Sequence, residues 1–453
     1  MAQQTSGRDG FATRLGVLAA TLGSAVGLGN IWKFPALTGQ NGGATFLLVY
    51  IIATLLVGLP VMISEIMLGR KAKANAVRTY RELGPKGQPW SLIGISGVIA
   101  AVLIMGFYTD VAGWVFAYIF KAMSGSIATT DPAVAKEAFV ALVGSPTQSL
   151  MWQWIVLALV SAIILGGVSS GIERTTKILM PVLLLLLCVV CARSLTLPKA
   201  AEGLAFLFTP DFSKITGGVI LMALGLAFFK LSIGMGTMTT YGSYFREDQN
   251  IPVTAARVML CDLSISILAG VAIFPAVFNF GFEPSAGPSL LFMTIPAVFA
   301  SMPGGQLFTV IFFCLTAIAA TGAMLSLFEV PVAWLVEEFK MSRAKATIGT
   351  ALVLGVMGAP ATLSMSVLGD FKMFGLNMFD LYDFVSSNIL LPVGGIFICI
   401  FAGWVWGSKR TRELLSNGGH LDNAAVVSGF LFVVKWVSPV LVTIVLLNGL
   451  KLF

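Results

Sequence analysis

Charge is scarce in this chain of 453 residues: Asp, Glu, Lys and Arg together make up 11%, against 57% hydrophobic residues. No soluble domain of that length covers itself with so few charges. The composition therefore reads as a polytopic α-helical membrane protein, with the lipid bilayer as its first partner. Histidine is almost absent. The one residue, His420, falls in a predicted loop with no nucleophile–base pattern around it, so an enzyme is not expected. Cys188, Cys191, Cys261, Cys314 and Cys399 all lie inside apolar runs, which reads as packing and against a disulfide framework or a metal cluster. The net charge of +7 does not signal nucleic acid, because most lysines and arginines gather in short connections on one side of the apolar spans. No cofactor is expected.

About eleven spans can be counted, near 13–38, 42–69, 90–123, 150–168, 175–197, 217–244, 253–281, 305–336, 345–368, 375–406 and 425–450. The second-to-third connection carries Arg70, Lys71, Lys73, Arg78, Arg81 and Lys86 against a single acid, Glu82. Positive loops stay in the cytoplasm, which places the N-terminus there and the C-terminus outside a cell (inner) membrane. Arg246, Arg257, Lys340, Arg343, Lys345, Lys409, Arg410 and Arg412 fall on the same side. The opening MAQQTSGRDGF is polar and the first apolar run is a full span, so no cleavable leader is expected.

Two spans are wrong for ordinary helices. In 217–244, Gly234-Met235-Gly236 follows Ser232, and Lys230 places an ammonium near mid-span. Irregular backbone at membrane depth survives only where it is buried in protein or lines a cavity. An intramembrane lysine points to a functional site, and this one lies too deep to reach the surface easily. The first span holds a matching break, Gly23 through Asn30, with Gly27-x-Gly29 at its centre. Interrupted spans in corresponding positions of two halves predict an inverted-repeat transporter with a midplane site. The predicted organisation is a tail (1–12), a first repeat (13–197), a second repeat (217–406) and one extra helix (425–450). Asp110 is a further intramembrane ionisable group, read either as a proton relay with Lys230 or as a structural acid.

Several motifs in order, over essentially the whole chain, carry a resemblance. They are Ala12-Thr13-Arg14-Leu15-Gly16, Gly23 through Asn30 with Phe34-Pro35, Asn41-Gly42-Gly43 and Glu65-x-x-x-Gly69-Arg70. Gly171-Ile172-Glu173-Arg174, Met180-Pro181, Ser243-Tyr244 with Asp248-Gln249, and Glu329-Val330-Pro331 complete the set. The chain resembles the neurotransmitter:sodium symporter family, in its bacterial eleven-span amino-acid transporter branch. The resemblance implies a small-molecule carrier working by alternating access. By matching position it implies a substrate pocket of Ala25, Gly27, Gly29, Ile104, Tyr108, Phe229, Lys230, Ser232, Met235, Ala323 and Leu327. Amine-carrying relatives have an aspartate at the Gly27 position, so glycine there favours an intact amino acid with an apolar side chain. An outer gate of Lys33 and Asp383 is implied, and an inner gate of Arg8 and Glu337 with Tyr244 and Glu329 beneath. Glu65 matches an acid that braces the second break, Asp262 reads as structural, and Gly171-x9-Pro181 implies local unwinding.

The family's ion sites are where the chain departs. One uses Asn30, a threonine whose position here is Lys230, and an asparagine whose position, counted back from Ile273-Phe274-Pro275, is Cys261. The other uses carbonyls at Gly23, Val26 and Ala319 with two hydroxyls whose positions are Gly322 and Ala323. A thiol and an ammonium are poor sodium ligands. The expectation is therefore sodium-independent amino-acid transport, with Lys230 in place of the ion and a proton as the candidate coupling ion. Two alternatives stay open: a sodium symporter with altered ligands, and a transport-inactive amino-acid sensor.

Overall fold

The computed structural model describes residues 9–281 and 290–452, and among these every named element is a helix. Among the described residues nine helices are long and apolar enough to cross a membrane: Ala44–Ala72, Ser91–Met123, Pro146–Leu165, Val168–Leu195, Ile251–Asn279, Gly305–Glu338, Arg343–Met365, Met378–Trp406 and Ala424–Gly449. Arg14–Ala25 and Gly29–Gln40 make a tenth crossing, bent by 52°. The remaining expected span, 217–244, is two short helices, Gly217–Lys230 and Thr237–Ser243, neither of which reaches crossing length alone. Helices alone suit this setting because each satisfies its own backbone where no water can.

At the core, Gly305–Glu338 packs along Ser91–Met123, and its stretch from Ala319 to Ala333 is buried without interruption. The two breaks meet beside it. In the first, Val26 leaves the helix in an extended conformation. The freed N–H groups find side chains: Gly27 donates to Asn30 Oδ1 (3.2 Å) and Leu28 to the Tyr108 hydroxyl (2.8 Å). In the second, Gly234 and Gly236 take positive φ (79° and 76°), and Ser232 does so at 52° without being glycine. A Cβ on Gly234 would stand 2.7 Å from the Leu391 carbonyl oxygen, so only glycine fits there.

Partners hold this second break in shape. Glu65 accepts from the Gly234 N–H at 3.0 Å and from the Thr239 hydroxyl at 3.1 Å, and the Thr237 hydroxyl donates to the Ser232 carbonyl. Ser232 Oγ donates to the Ser24 carbonyl at 2.7 Å, which ties one break to the other. Around Gly171 the chain does not unwind. Val168–Glu173 is a widened π-type turn that runs directly into Arg174–Leu195, with Pro181 inside the helix. The widened turn absorbs the looseness that the Gly–Pro spacing suggested.

Candidate substrate and ion site

All eleven residues matched to the substrate pocket line one buried cavity between the two breaks, together with Ser24. Its free volume is about 20 Å³, room for roughly one water and not for an amino acid. In this conformation the pocket is collapsed. Gly27 is required by contact: a Cβ there would stand 2.7 Å from the Tyr108 hydroxyl and 2.9 Å from the Ala323 side chain. Tyr108 accepts from Leu28, which leaves its own O–H available as a donor. Ile104, Phe229, Met235 and Leu327 supply the apolar wall.

Lys230 forms part of this wall, its stem passing Gly29, where a Cβ would lie 3.0 Å from Lys230 Cγ. Its ammonium does not stand free. The side chain is fully buried and paired with Asp262 Oδ2 at 3.0 Å, and it also donates to Ser266 Oγ. Asn30 holds those two residues in place, donating to Asp262 Oδ1 (2.7 Å) and Ser266 Oγ (3.1 Å). Tyr50 adds a bond of 3.4 Å to Asp262 Oδ2, and its ring lies 4.8 Å from the Lys230 ammonium. Taking two charges out of water is expensive, and close pairing with further hydrogen bonds is what makes the burial tolerable.

Two expectations need correcting here. Asp262, read as structural, is the counter-ion of Lys230. Cys261 stands one residue away, about 100° around the helix, and lines a different cavity with Leu15, Met180 and Ile265. Asp110 is buried but belongs neither to the pocket lining nor to the lysine's pair, so the two proton-relay candidates are not brought together. At the second ion position the packing is tight. A Cβ on Gly322 would stand 2.8 Å from the Gly23 carbonyl oxygen, and the neighbouring Thr321 spends its hydroxyl on Ala317 O at 2.8 Å. Val26 and Ala319 are fully buried. No hydroxyl faces Gly23 from Gly322 or Ala323.

Most of the residues expected at the two gates are paired. On one side Lys33 pairs with Asp383 at 3.3 Å, and its ammonium sits 3.9 Å above the Phe229 ring, so the gate rests on a wall of the pocket. Outside it lies a cavity of about 430 Å³ that both residues line. On the other side Tyr244 donates to Glu329 (2.7 Å), and Arg343 grips Glu329 with both nitrogens at 3.1 and 2.6 Å. Sequence reasoning used Arg343 only to orient the chain and missed this fork-to-carboxylate pair. Arg8 lies outside the described residues, and Glu337 accepts from the Asn75 N–H at 2.7 Å. Nearby, Arg14 and Arg246 hold the Asp248 carboxyl below its usual range by hydrogen bonding and charge.

Comparison with known proteins agrees with this geometry. The family model described as the sodium:neurotransmitter symporter family matches residues 8–137 and 136–453. YhdH of Bacillus subtilis, named a sodium-dependent transporter, is 38% identical over 438 residues, covering 97% of each chain. A sodium-dependent transporter of Haemophilus influenzae is 34% identical over 453 residues, covering 98% of each. Among solved structures, that of MhsT in complex with L-phenylalanine matches with a TM-score of 0.90 at 41% identity, covering 98% of this chain and all of MhsT. These relatives are transporters and not enzymes, and the chain belongs to the sodium:neurotransmitter symporter family, as an all-α polytopic membrane protein with two broken helices.

Proposed function

We propose that the protein carries a neutral, hydrophobic amino acid across the cell (inner) membrane by alternating access, without sodium at the Lys230 position. One observation carries this reading. The Lys230 ammonium occupies an oxygen shell of Asp262 and Ser266, organised by Asn30, on the wall of the pocket. Such hard oxygens suit a sodium ion, and an ammonium among them repels one. For a substrate carboxylate the pocket offers the Tyr108 hydroxyl and the backbone of the first break at Ala25 and Gly29. Ile104, Phe229, Met235 and Leu327 suit an apolar side chain, and the binding of L-phenylalanine by MhsT is in keeping with that class. Residues 13–197 and 217–406 serve as the inverted repeats, with the N-terminus on the basic, cytoplasmic side.

The ion pair sets how the lysine acts. While the pocket is empty, Asp262 neutralises it. When a substrate carboxylate arrives, a proton on Asp262 releases the ammonium to the cargo. Proton uptake and substrate binding then favour one another, and the coupling is reciprocal. The pocket must also expand from its collapsed volume, which the Lys33–Asp383 and Glu329–Arg343 gates permit by opening in turn.

The test is counterflow in proteoliposomes, screened over the twenty amino acids and repeated with choline in place of sodium. Uptake of a hydrophobic amino acid should be unchanged in choline and raised by an inward proton gradient. The names of the relatives favour a second reading, a sodium symporter with altered ligands, and collapse of uptake in choline would establish it. Binding without counterflow would instead identify a sensor.

A further inference from the structure

We infer that the basic face of the protein holds a binding site for the headgroup of an anionic phospholipid, in the cavity formed by Arg70, Lys71, Trp406 and Arg410. The cavity measures about 520 Å³, within the range of small-molecule sites. It lies at the ends of the Ala44–Ala72 and Met378–Trp406 helices, beside the short basic helix Ser408–Leu415. Two acids, Glu247 and Glu413, share the lining with the three cations. Lys73 pairs with Glu247 at 3.4 Å, which leaves one acid against three positive charges.

Two buried groups stand in the lining, one satisfied and one not. Arg70 is only 4% exposed and donates to the carbonyl oxygens of Gln249 (2.6 Å) and Leu414 (2.6 Å) and to the Asn417 amide oxygen (3.0 Å). It also donates to the Glu247 carbonyl oxygen at 3.4 Å, and the Glu247 carboxylate, which pairs with Lys73, is the acid whose charge acts on it. Trp406 is 8% exposed, and its indole N–H has no acceptor among the described residues. An indole nitrogen only donates, so the absent partner is an acceptor oxygen. The Arg410 guanidinium lies over the same ring at 5.1 Å. An anion with several oxygens would meet the exposed Lys71 and Arg410 cations and the Trp406 indole together.

Position in the fold selects a lipid as the source. Trp404, two residues before Trp406, and Trp436 are about half exposed and meet edge-to-face at 4.8 Å. Lys435 lies over the Trp404 ring at 5.2 Å and reaches Ser408 Oγ at 2.9 Å. Exposed tryptophans of this kind mark the headgroup level of a bilayer, where basic pockets between spans bind lipid phosphates.

Native mass spectrometry of the full chain, stripped of lipid in detergent, tests this with phosphatidylglycerol, phosphatidylcholine or inorganic phosphate added. One phosphatidylglycerol should be retained in preference to phosphatidylcholine. Arg410→Gln and Lys71→Gln, both at exposed positions, should each weaken that retention by about fivefold, the scale of one basic side chain at a membrane surface. Glu413→Gln should strengthen it, and Trp406→Phe, which keeps a ring but loses the N–H, should weaken it. Equal retention of the two lipids, unchanged retention in Arg410→Gln, or binding of inorganic phosphate without phosphatidylglycerol would each overturn the proposal.

Discussion

The chain treats the two positions where its family resemblance would put ions in opposite ways. Beside Asn30 the oxygen shell is kept and filled from within, with Lys230 entering between Asp262 and Ser266. Beside Gly23 the shell is dismantled: Gly322 and Ala323 bring no hydroxyl, and the Gly322 backbone closes to where a Cβ would stand 2.8 Å from a carbonyl oxygen. On the proposed reading one cation position is replaced by a side chain and the other closed by packing, and the two leave different demands behind. The filled site keeps an electrostatic demand, because a buried ammonium needs its carboxylate. The closed site keeps only a packing demand.

Asp262→Asn should break the comparison hardest. It strands a buried ammonium, and removing one partner of such a pair costs about 3–5 kcal/mol. Thermal unfolding in detergent should register the largest loss of the set. Combining it with Lys230→Thr removes both charges and should recover most of that loss, a coupling that a double-mutant cycle measures. In the double variant sodium should begin to raise substrate affinity. Absence of any sodium effect would mean the lysine does not stand in for an ion.

Gly322→Thr probes the closed site. Its added atoms meet Gly23 O and the Met180 side chain, an overpacking that typically costs about 1–3 kcal/mol. Chemical denaturation should show that loss with no new sodium dependence, whereas sodium-stimulated binding would show the site to be open. Tyr108→Phe, between the two sites, should weaken substrate binding by about tenfold in titration calorimetry, the scale of one lost hydrogen bond to a charged group. The smallest effect belongs to Asp383→Asn. Its pair with Lys33 is partly exposed and worth about 0–1 kcal/mol. Exchange rates of labelled substrate should change modestly at low ionic strength and converge with the parent at high salt.

Much of this was legible in the chain. Glycine pairs and a mid-span lysine located both breaks, and the eleven residues matched to the substrate pocket all reached one cavity, because a break fixes which side chains face the midplane. Register along an unbroken helix was harder. An ungapped count from Pro275 landed on Cys261, and a slip of one residue is about 100° of rotation. A signal was available: Asp262 and Ser266 are four apart on a mostly apolar helix and so share a face. The demand of a buried lysine for an acid then favours Asp262 over Asp110. Arg343 escaped for another reason. A basic residue at a span's end serves the orientation rule equally well whether it is solvated or, as here, folded back onto Glu329.

The lysine's tether has a consequence for energetics. A sodium ion that enters with the cargo and leaves on the far side spends a gradient as it goes, and so can drive accumulation. The Lys230 ammonium is attached to the backbone and returns with the empty carrier, so over a full cycle it transports no charge of its own. On the proposed reading it improves the grip on the cargo at any salinity, and any uphill movement must draw its work from something that does cross.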